Sequence, residues 1–394
     1  MSELLKTGRP LGMSYWPLPE DAPDVDLVQE EIRLLTPDGM LVRGMLWTPA
    51  GKQPKTAVLL AHPRGDFTVH YACPLLAAAG FAVLGFSTRY LNNDADCLHE
   101  KCVIDVETAV AEMRRRGAEK VVLFGNSGGG SLMALAQAET GCGDAWVGVA
   151  AHPGEGVFMG QVIDPSVADE DDPHSVVPEL DMYDPRNGWK PWPEPATYDR
   201  GWLENYRAAQ RDRIERIDTI ARDAIAAADA ARRGGRDLPK GSDEWREARR
   251  RGLHTPYLTI DRTLANPVYL DPTIDPDDRP LGSLFAFPDP FEANYFGRFG
   301  LARVMTPYGW LSTWSSLSSS AKLADTMPKV TCPVLLIHPT ADTEIRTWQA
   351  REVRDRAGSD DVTYHELEGA LHYLEGHRKP AMELVVSWLR ERFS

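Results

Sequence analysis

Residues 121–136 read VVLFGNSGGGSLMALA: an apolar β-branched run, a glycine-rich corner, then small residues at helical spacing. The corner holds one serine, Ser127, with Gly125, Gly128, Gly129 and Gly130 around it. Three chemistries use such a corner. A phosphate-cradling loop needs G-x-x-x-x-G-K-[ST], and this corner carries no lysine. A dinucleotide fingerprint needs spaced glycines on the first strand-to-helix turn and an acidic residue at a later strand end, which matches poorly. The pattern that fits is G-x-S-x-G, from Gly125 to Gly129, between a strand and a helix. In that turn the serine takes strained backbone geometry, and the residues two before and two after it must be small. The helix beginning at Gly128 turns free N–H groups toward the serine oxygen and favours negative charge there. Such a corner presents a nucleophile.

Positioning it requires a sheet, and the chain writes one. "VQEEIRLLTPDGMLVRGMLWTP" alternates around Pro37-Asp38-Gly39 and predicts a hairpin. "TAVLLAHP" (56–63) is a continuous apolar run stopped by proline, as in a strand buried on both faces. A helix at "YACPLLAAAG", a strand at "FAVLGFSTR" (81–89) and a helix over 97–117 come next, the last with Val103, Val106, Val110 and Met113 on one face. "KVVLFG", "GGSLMALAQAE" and "AWVGVAAHP" continue the rhythm as strand, helix, strand. The alternation returns at "CPVLLIHPTAD" (332–342), a helix around 344–357, "VTYHELEG" (362–369) and a last helix ending in "AMELVVSWLRERF". Strand–helix alternation implies an α/β fold, a mostly parallel doubly wound sheet with helices on both faces.

Between the two blocks the texture changes. Residues 155–320 hold an acidic loop, a Trp/Pro segment and a long amphipathic helix near 199–233 with Ile214, Ile217, Ala221, Ala224 and Ala228 in register. A short helix is expected at "SDEWREARRR". An aromatic stretch comes after it, with Phe285, Phe287, Phe291, Tyr295, Phe296, Phe299, Trp310 and Trp314. This block reads as a mainly helical cap or lid (155–320) inserted over the sheet's C-terminal edge, with 1–154 and 321–394 as the core. Its aromatic residues either line a pocket for a bulky group or form the cap's own core.

Over roughly residues 28–153 and 330–394 the chain resembles the α/β-hydrolase family, on the GxSxG corner and on the order of the polar residues after it. The family's order is nucleophile, acid, histidine. After Ser127 come Asp342, at the end of "PVLLIHPTAD", and His372, in "ELEGALHYL", both just past strands. The resemblance implies that His372 takes the Ser127 proton and later gives it to the leaving group, while Asp342 orients the ring. Glu344 is the competitor for the acid. His365 falls within a strand, and His377 lies near a helix surface. The oxyanion then meets the N–H of Gly128 and a second N–H from the loop after "TAVLLAHP", from Arg64 or Gly65. The usual His-Gly is here His62-Pro63; proline has no N–H, so Arg64 is favoured. Arg64 alternatively binds a substrate carboxylate. The implied activity is a serine hydrolase acting on a small-molecule carboxylic ester, lactone or thioester through an acyl-enzyme, with no cofactor. C–C bond hydrolysis or acyl transfer on the same triad is the alternative, and a non-catalytic binding protein the remaining one.

His62-Pro63, His152-Pro153 and His338-Pro339 each end a predicted strand, near the edge where sites form. Proline ending a strand beside a hydrogen-bonding histidine accounts for them better than zinc does, and His62 and His152 remain candidates to touch substrate. Trp310 and Trp314, where the chain returns to the sheet, are the expected pocket wall. The acidic loop lacks calcium-loop spacing.

The net charge of −15, from 43 Lys+Arg against 58 Asp+Glu, disfavours nucleic acid and anionic membrane surfaces as partners. Five cysteines without CxxC pairing read as reduced thiols. No signal-like leader or 18-residue apolar run occurs, so a cytoplasmic protein is expected. Oligomeric state is not legible.

Overall fold

A computed structural model of the chain describes residues 15–18, 21–282, 289–295 and 300–393. Phe285, Phe287, Phe296 and Phe299 therefore lie outside the described residues. The predicted hairpin is β1 (Leu27–Leu35) and β2 (Leu41–Pro49), paired antiparallel with Gly39 at φ +86 in the turn. Then come β3 (Thr56–Leu60), α1 (Ala72–Ala78), β4 (Ala82–Ser87), α2 (His99–Arg115), β5 (Lys120–Ser127), α3 (Gly128–Thr140) and β6 (Ala145–Ala151). The inserted block carries α4 (Glu155–Val162), α5 (Arg200–Gly234), α6 (Asp243–Leu253), β7 (Leu258–Thr259), α7 (Pro290–Tyr295), β8 (Val304–Met305) and the short α8 (Pro307–Gly309). After it come α9 (Leu323–Thr326), β9 (Val334–Pro339), α10 (Thr347–Arg356), β10 (Val362–Leu367) and α11 (Arg378–Phe393).

The main sheet runs β1-β2-β4-β3-β5-β6-β9-β10, parallel from β4 to β10. Successive side chains of a strand point to opposite faces, and the central strands fill both. Leu59 and Leu123 face one core with Val103, Val106 and Met113 of α2. Val58, Val122 and Phe124 face the other with Leu76 of α1 and Val385 of α11. Apolar runs without polar alternation are thus what a doubly covered sheet demands.

Among the described residues the inserted block adds no strand to this sheet. Ile214, Ile217 and Ala221 of α5 face its own core, with Phe158, Ile260, Met305, Trp310 and Trp314. Hydrogen bonds pin it on two sides. On one, Thr306 N–H donates to Ala95 O at 2.9 Å and Thr313 Oγ1 to Cys97 O at 2.7 Å. On the other, Thr340 Oγ1 and Gly369 N–H donate to Asp278 Oδ2 at 2.7 and 2.9 Å, and Arg346 pairs with Asp277. Among the described residues no helix is long and apolar enough to cross a membrane.

Candidate active site

Ser127 ends β5 with φ +52 and α3 begins at the next residue. A left-handed backbone at a non-glycine residue is strained and persists only when its surroundings enforce it. The glycines allow that enforcement. A Cβ on Gly125 would lie 2.4 Å from Gly130 Cα, and one on Gly129 would lie 2.3 Å from Ala61 O. Asn126 fastens the corner from below, donating to Val149 O at 2.6 Å and facing His70 Nε2 at 2.9 Å.

The loops after β9 and β10 bring two more groups to the corner. His372 Nε2 lies 3.0 Å from Ser127 Oγ, and His372 Nδ1 lies 2.8 Å from Asp342 Oδ2. The other oxygen of Asp342 accepts the N–H groups of Glu344 and Ile345 at 2.7 and 3.1 Å, which fixes the carboxylate. Burial opposes its charge, but His372 and these donors outweigh burial and hold Asp342 below the usual carboxylate range. Burial likewise opposes charging His372, yet the Asp342 and Glu344 carboxylates lift it to about 9.

Glu344, the competitor for the acid, occupies another place. Its Oε2 lies 3.5 Å from His372 Nε2, on the serine side of the ring rather than the Asp342 side. Tyr373 Oη donates to its Oε1 at 3.3 Å. Burial, opposed by His372 and reinforced by Asp342, raises its carboxyl. His365 lies in β10 and His377 just before α11, and among the described residues neither hydrogen-bonds to Ser127 or to Asp342.

A cavity of about 30 Å³ opens at Ser127, lined by His62, Arg64, Gly128, His152, Glu155 and Glu344, with Phe158, Leu301 and Trp314 as its apolar wall. Trp314 is in the wall, its ring under the Arg64 guanidinium at 4.7 Å. Trp310 is not. Its Nε1–H donates to Asp218 Oδ1 at 2.8 Å inside the cap core, because a buried indole N–H needs an acceptor.

The two loop N–H groups expected to offer a second oxyanion donor already have an acceptor. Arg64 N–H and Gly65 N–H both point to His62 Nδ1, at 3.1 and 2.9 Å. The Arg64 side chain is held by Glu155 Oε1, at 3.0 Å from Nε and 2.9 Å from Nη2, and so is already paired. Gly128, first residue of α3, has no acceptor for its N–H within the helix. His152 reaches the cavity, its Nε2 4.0 Å from Glu344 Oε2, and burial lowers it to about 4. His338 is elsewhere, against Thr347 Oγ1 at 3.0 Å. Among the described residues no group of three or more His, Cys, Asp or Glu side chains could hold a metal ion.

Two groups were not singled out from the sequence. Glu155 is a lone charge in the apolar run "AAHPGEGVFMG", a signal that could have drawn notice. Arg64, with His99 Nε2 at 3.4 Å, lowers its carboxyl against the opposing effect of burial. Tyr15, from a segment with no periodicity, buries its ring against Phe67, His70 and Tyr373 beside the serine.

No protein-family model matches the chain, and no curated protein sequence does. Among solved structures the chain is similar to DcsB in complex with its substrate analogue, at TM-score 0.55 and 14% identity over 92% of this chain and 99% of that one. It is similar to the alpha/beta hydrolase GrgF from Penicillium sp. sh18, at TM-score 0.53 and 13% identity over 92% and 98%. A hypothetical protein of Pseudomonas aeruginosa gives TM-score 0.52 and 14% identity over 97% and 100%. At such identities the likeness establishes architecture: the chain has the α/β-hydrolase fold, a mostly parallel sheet with a mainly helical cap insertion.

Proposed function

We propose that the chain is a serine hydrolase that cleaves a carboxylic ester, lactone or thioester through an acyl-enzyme. The observation that carries this reading is the placement of one imidazole between Ser127 Oγ at 3.0 Å and Asp342 Oδ2 at 2.8 Å. In that arrangement Ser127 Oγ attacks the carbonyl carbon while its proton passes to His372 Nε2. Asp342 holds Nδ1–H and stabilises the imidazolium. The tetrahedral intermediate collapses, the leaving group takes the proton from His372, and water repeats the sequence to release the acid. Gly128 N–H meets the oxyanion from the head of α3.

The charged lining of Arg64, Glu155 and Glu344 beside His62 and His152 favours an acyl group with polar character. Residues 155–320 act as the cap that sets this choice, standing over the ends of the parallel strands where sites form. The test is a panel of p-nitrophenyl esters, lactones and thioesters of graded chain length, with the wild-type protein and Ser127→Ala. Turnover of short esters that disappears in Ser127→Ala supports the reading. A Ser127→Ala protein as active as wild type overturns it.

A further inference from the structure

In the loop after β3 the backbone donors of Arg64 and Gly65 are taken up by a histidine, which is left with a proton to offer. His62 Nδ1 accepts two N–H groups, from Arg64 at 3.1 Å and Gly65 at 2.9 Å. A ring nitrogen that accepts carries a lone pair, so the proton of the neutral imidazole sits on Nε2. Burial, aided by the Arg64 guanidinium and opposed by Glu155, lowers His62 to about 3, which keeps the ring neutral. Nε2 makes no hydrogen bond within the described residues, and His62 lines the same cavity as Ser127 and Gly128. Its position is fixed by a close approach: a Cβ on Gly128 would lie 2.8 Å from His62 Nε2. The Nε2–H therefore stands over Gly128, whose own N–H opens α3.

We propose that His62 is a catalytic residue whose Nε2–H is the second oxyanion donor, paired with the N–H of Gly128. The assignment rests on the serine-hydrolase reading above. As Ser127 Oγ bonds to the carbonyl carbon, the C=O π pair moves onto oxygen and the serine proton moves to His372. His62 donates a hydrogen bond to that oxygen and transfers no proton. When the C=O re-forms, the pair returns, the bond to the leaving group breaks, and the leaving group takes the proton from His372. A neutral donor suits this place. Glu155 Oε1 would lie 3.0 Å from the same Gly128 Cβ, and its charge is offset by Arg64. Side-chain donors serve in oxyanion holes wherever their hydrogen is fixed in advance, and the two loop N–H groups fix this one.

Two substitutions separate the donor from the loop anchor. In His62→Asn the amide oxygen takes the place of Nδ1 and still accepts from the loop, but nothing stands at Nε2. In His62→Gln the amide nitrogen reaches the Nε2 position, while the loop N–H groups lose their acceptor. With a short p-nitrophenyl ester, kcat should fall by about 10²–10³-fold in His62→Asn with KM little changed. His62→Gln should retain at least about tenfold more kcat than His62→Asn. The reverse order, or equal losses in both, makes His62 a loop anchor and overturns the assignment. A measurement on the unsubstituted protein guards against misfolded variants. With ¹⁵N-labelled histidine, the His62 Nε2 proton should move downfield when a trifluoromethyl ketone adds to Ser127, and an unmoved resonance overturns the assignment. Failure of these comparisons in a protein that still turns over esters through Ser127 refutes only the donor. Absence of any Ser127-dependent turnover refutes the hydrolase reading itself.

Discussion

Glu344 Oε2 lies 3.5 Å from His372 Nε2, the same ring nitrogen that faces Ser127 Oγ at 3.0 Å. The imidazole thus stands between two carboxyl groups, Asp342 on Nδ1 and Glu344 beside Nε2. Only the first is placed to orient the ring. The second stabilises the charged ring in the resting site, where the ring must be neutral to accept the serine proton.

The base sets the sign of the pH dependence. A base held at about 9 is protonated below that pH, so kcat/KM should rise through about pH 9 rather than level off above pH 6–7 as an unperturbed histidine would give. Burial pushes the other way, while Asp342, Glu344 and Glu375 all raise the ring. Glu344→Gln removes one of these carboxylates and should move the acid limb to lower pH. Profiles of kcat/KM from pH 5 to 10 for both proteins check this, and superimposable limbs would show that Glu344 has no hold on the base.

Replacing the base should be selective. His372→Ala should lower turnover by about 10⁴-fold or more, because triad members act as a unit. His365→Ala and His377→Ala should remain within about threefold of wild type, since among the described residues neither ring hydrogen-bonds to Ser127 or to Asp342. Steady-state kinetics on one short ester, with circular dichroism to verify folding, decides it.

The two tryptophans should separate by phenotype. Trp314→Phe alters the cavity wall and the stack on Arg64, so the ranking of acyl chain lengths should shift toward longer chains. Trp310→Phe removes the donor to Asp218 from a buried site and should cost about 1–3 kcal/mol of stability while leaving that ranking intact. Thermal melts beside a chain-length series distinguish the two; a changed ranking in Trp310→Phe alone would reverse the assignment.

Glu155→Gln leaves Arg64 without its charged partner. Both side chains are mostly buried, at 18% and 4% exposure, and breaking such a pair costs about 3–5 kcal/mol. Urea unfolding should show a loss near the lower end of that range, since Arg64 keeps Asp94 3.8 Å away. A midpoint equal to that of wild type would mean that the pair contributes nothing.

What could be read in advance was whatever the chain encodes locally. Pro37-Asp38-Gly39, the apolar run 56–60 and the glycines around Ser127 each announce a backbone conformation within a few residues, and the hairpin, the buried strand and the strained corner result. Asp342 and His372 were found because each falls directly after a strand. Long-range polar contacts have no such trace. Arg213 lies four residues before Ile217, on the buried side of α5 by spacing, but nothing in the sequence shows that Glu170, 43 residues away, pairs with it. The direction of the Arg64 and Gly65 N–H groups depends on which way the His62 ring turns, a tertiary choice that spacing does not record.

The loop around Asp277 and Asp278 belongs to the cap, yet it hydrogen-bonds to Thr340, Arg346 and Gly369, in the two segments that bear Asp342 and His372. Moving residues 277–278 away would break hydrogen bonds to Thr340 and Gly369, two residues before Asp342 and three before His372. A disturbance of the inserted block at this end is therefore passed to both loops that carry Asp342 and His372.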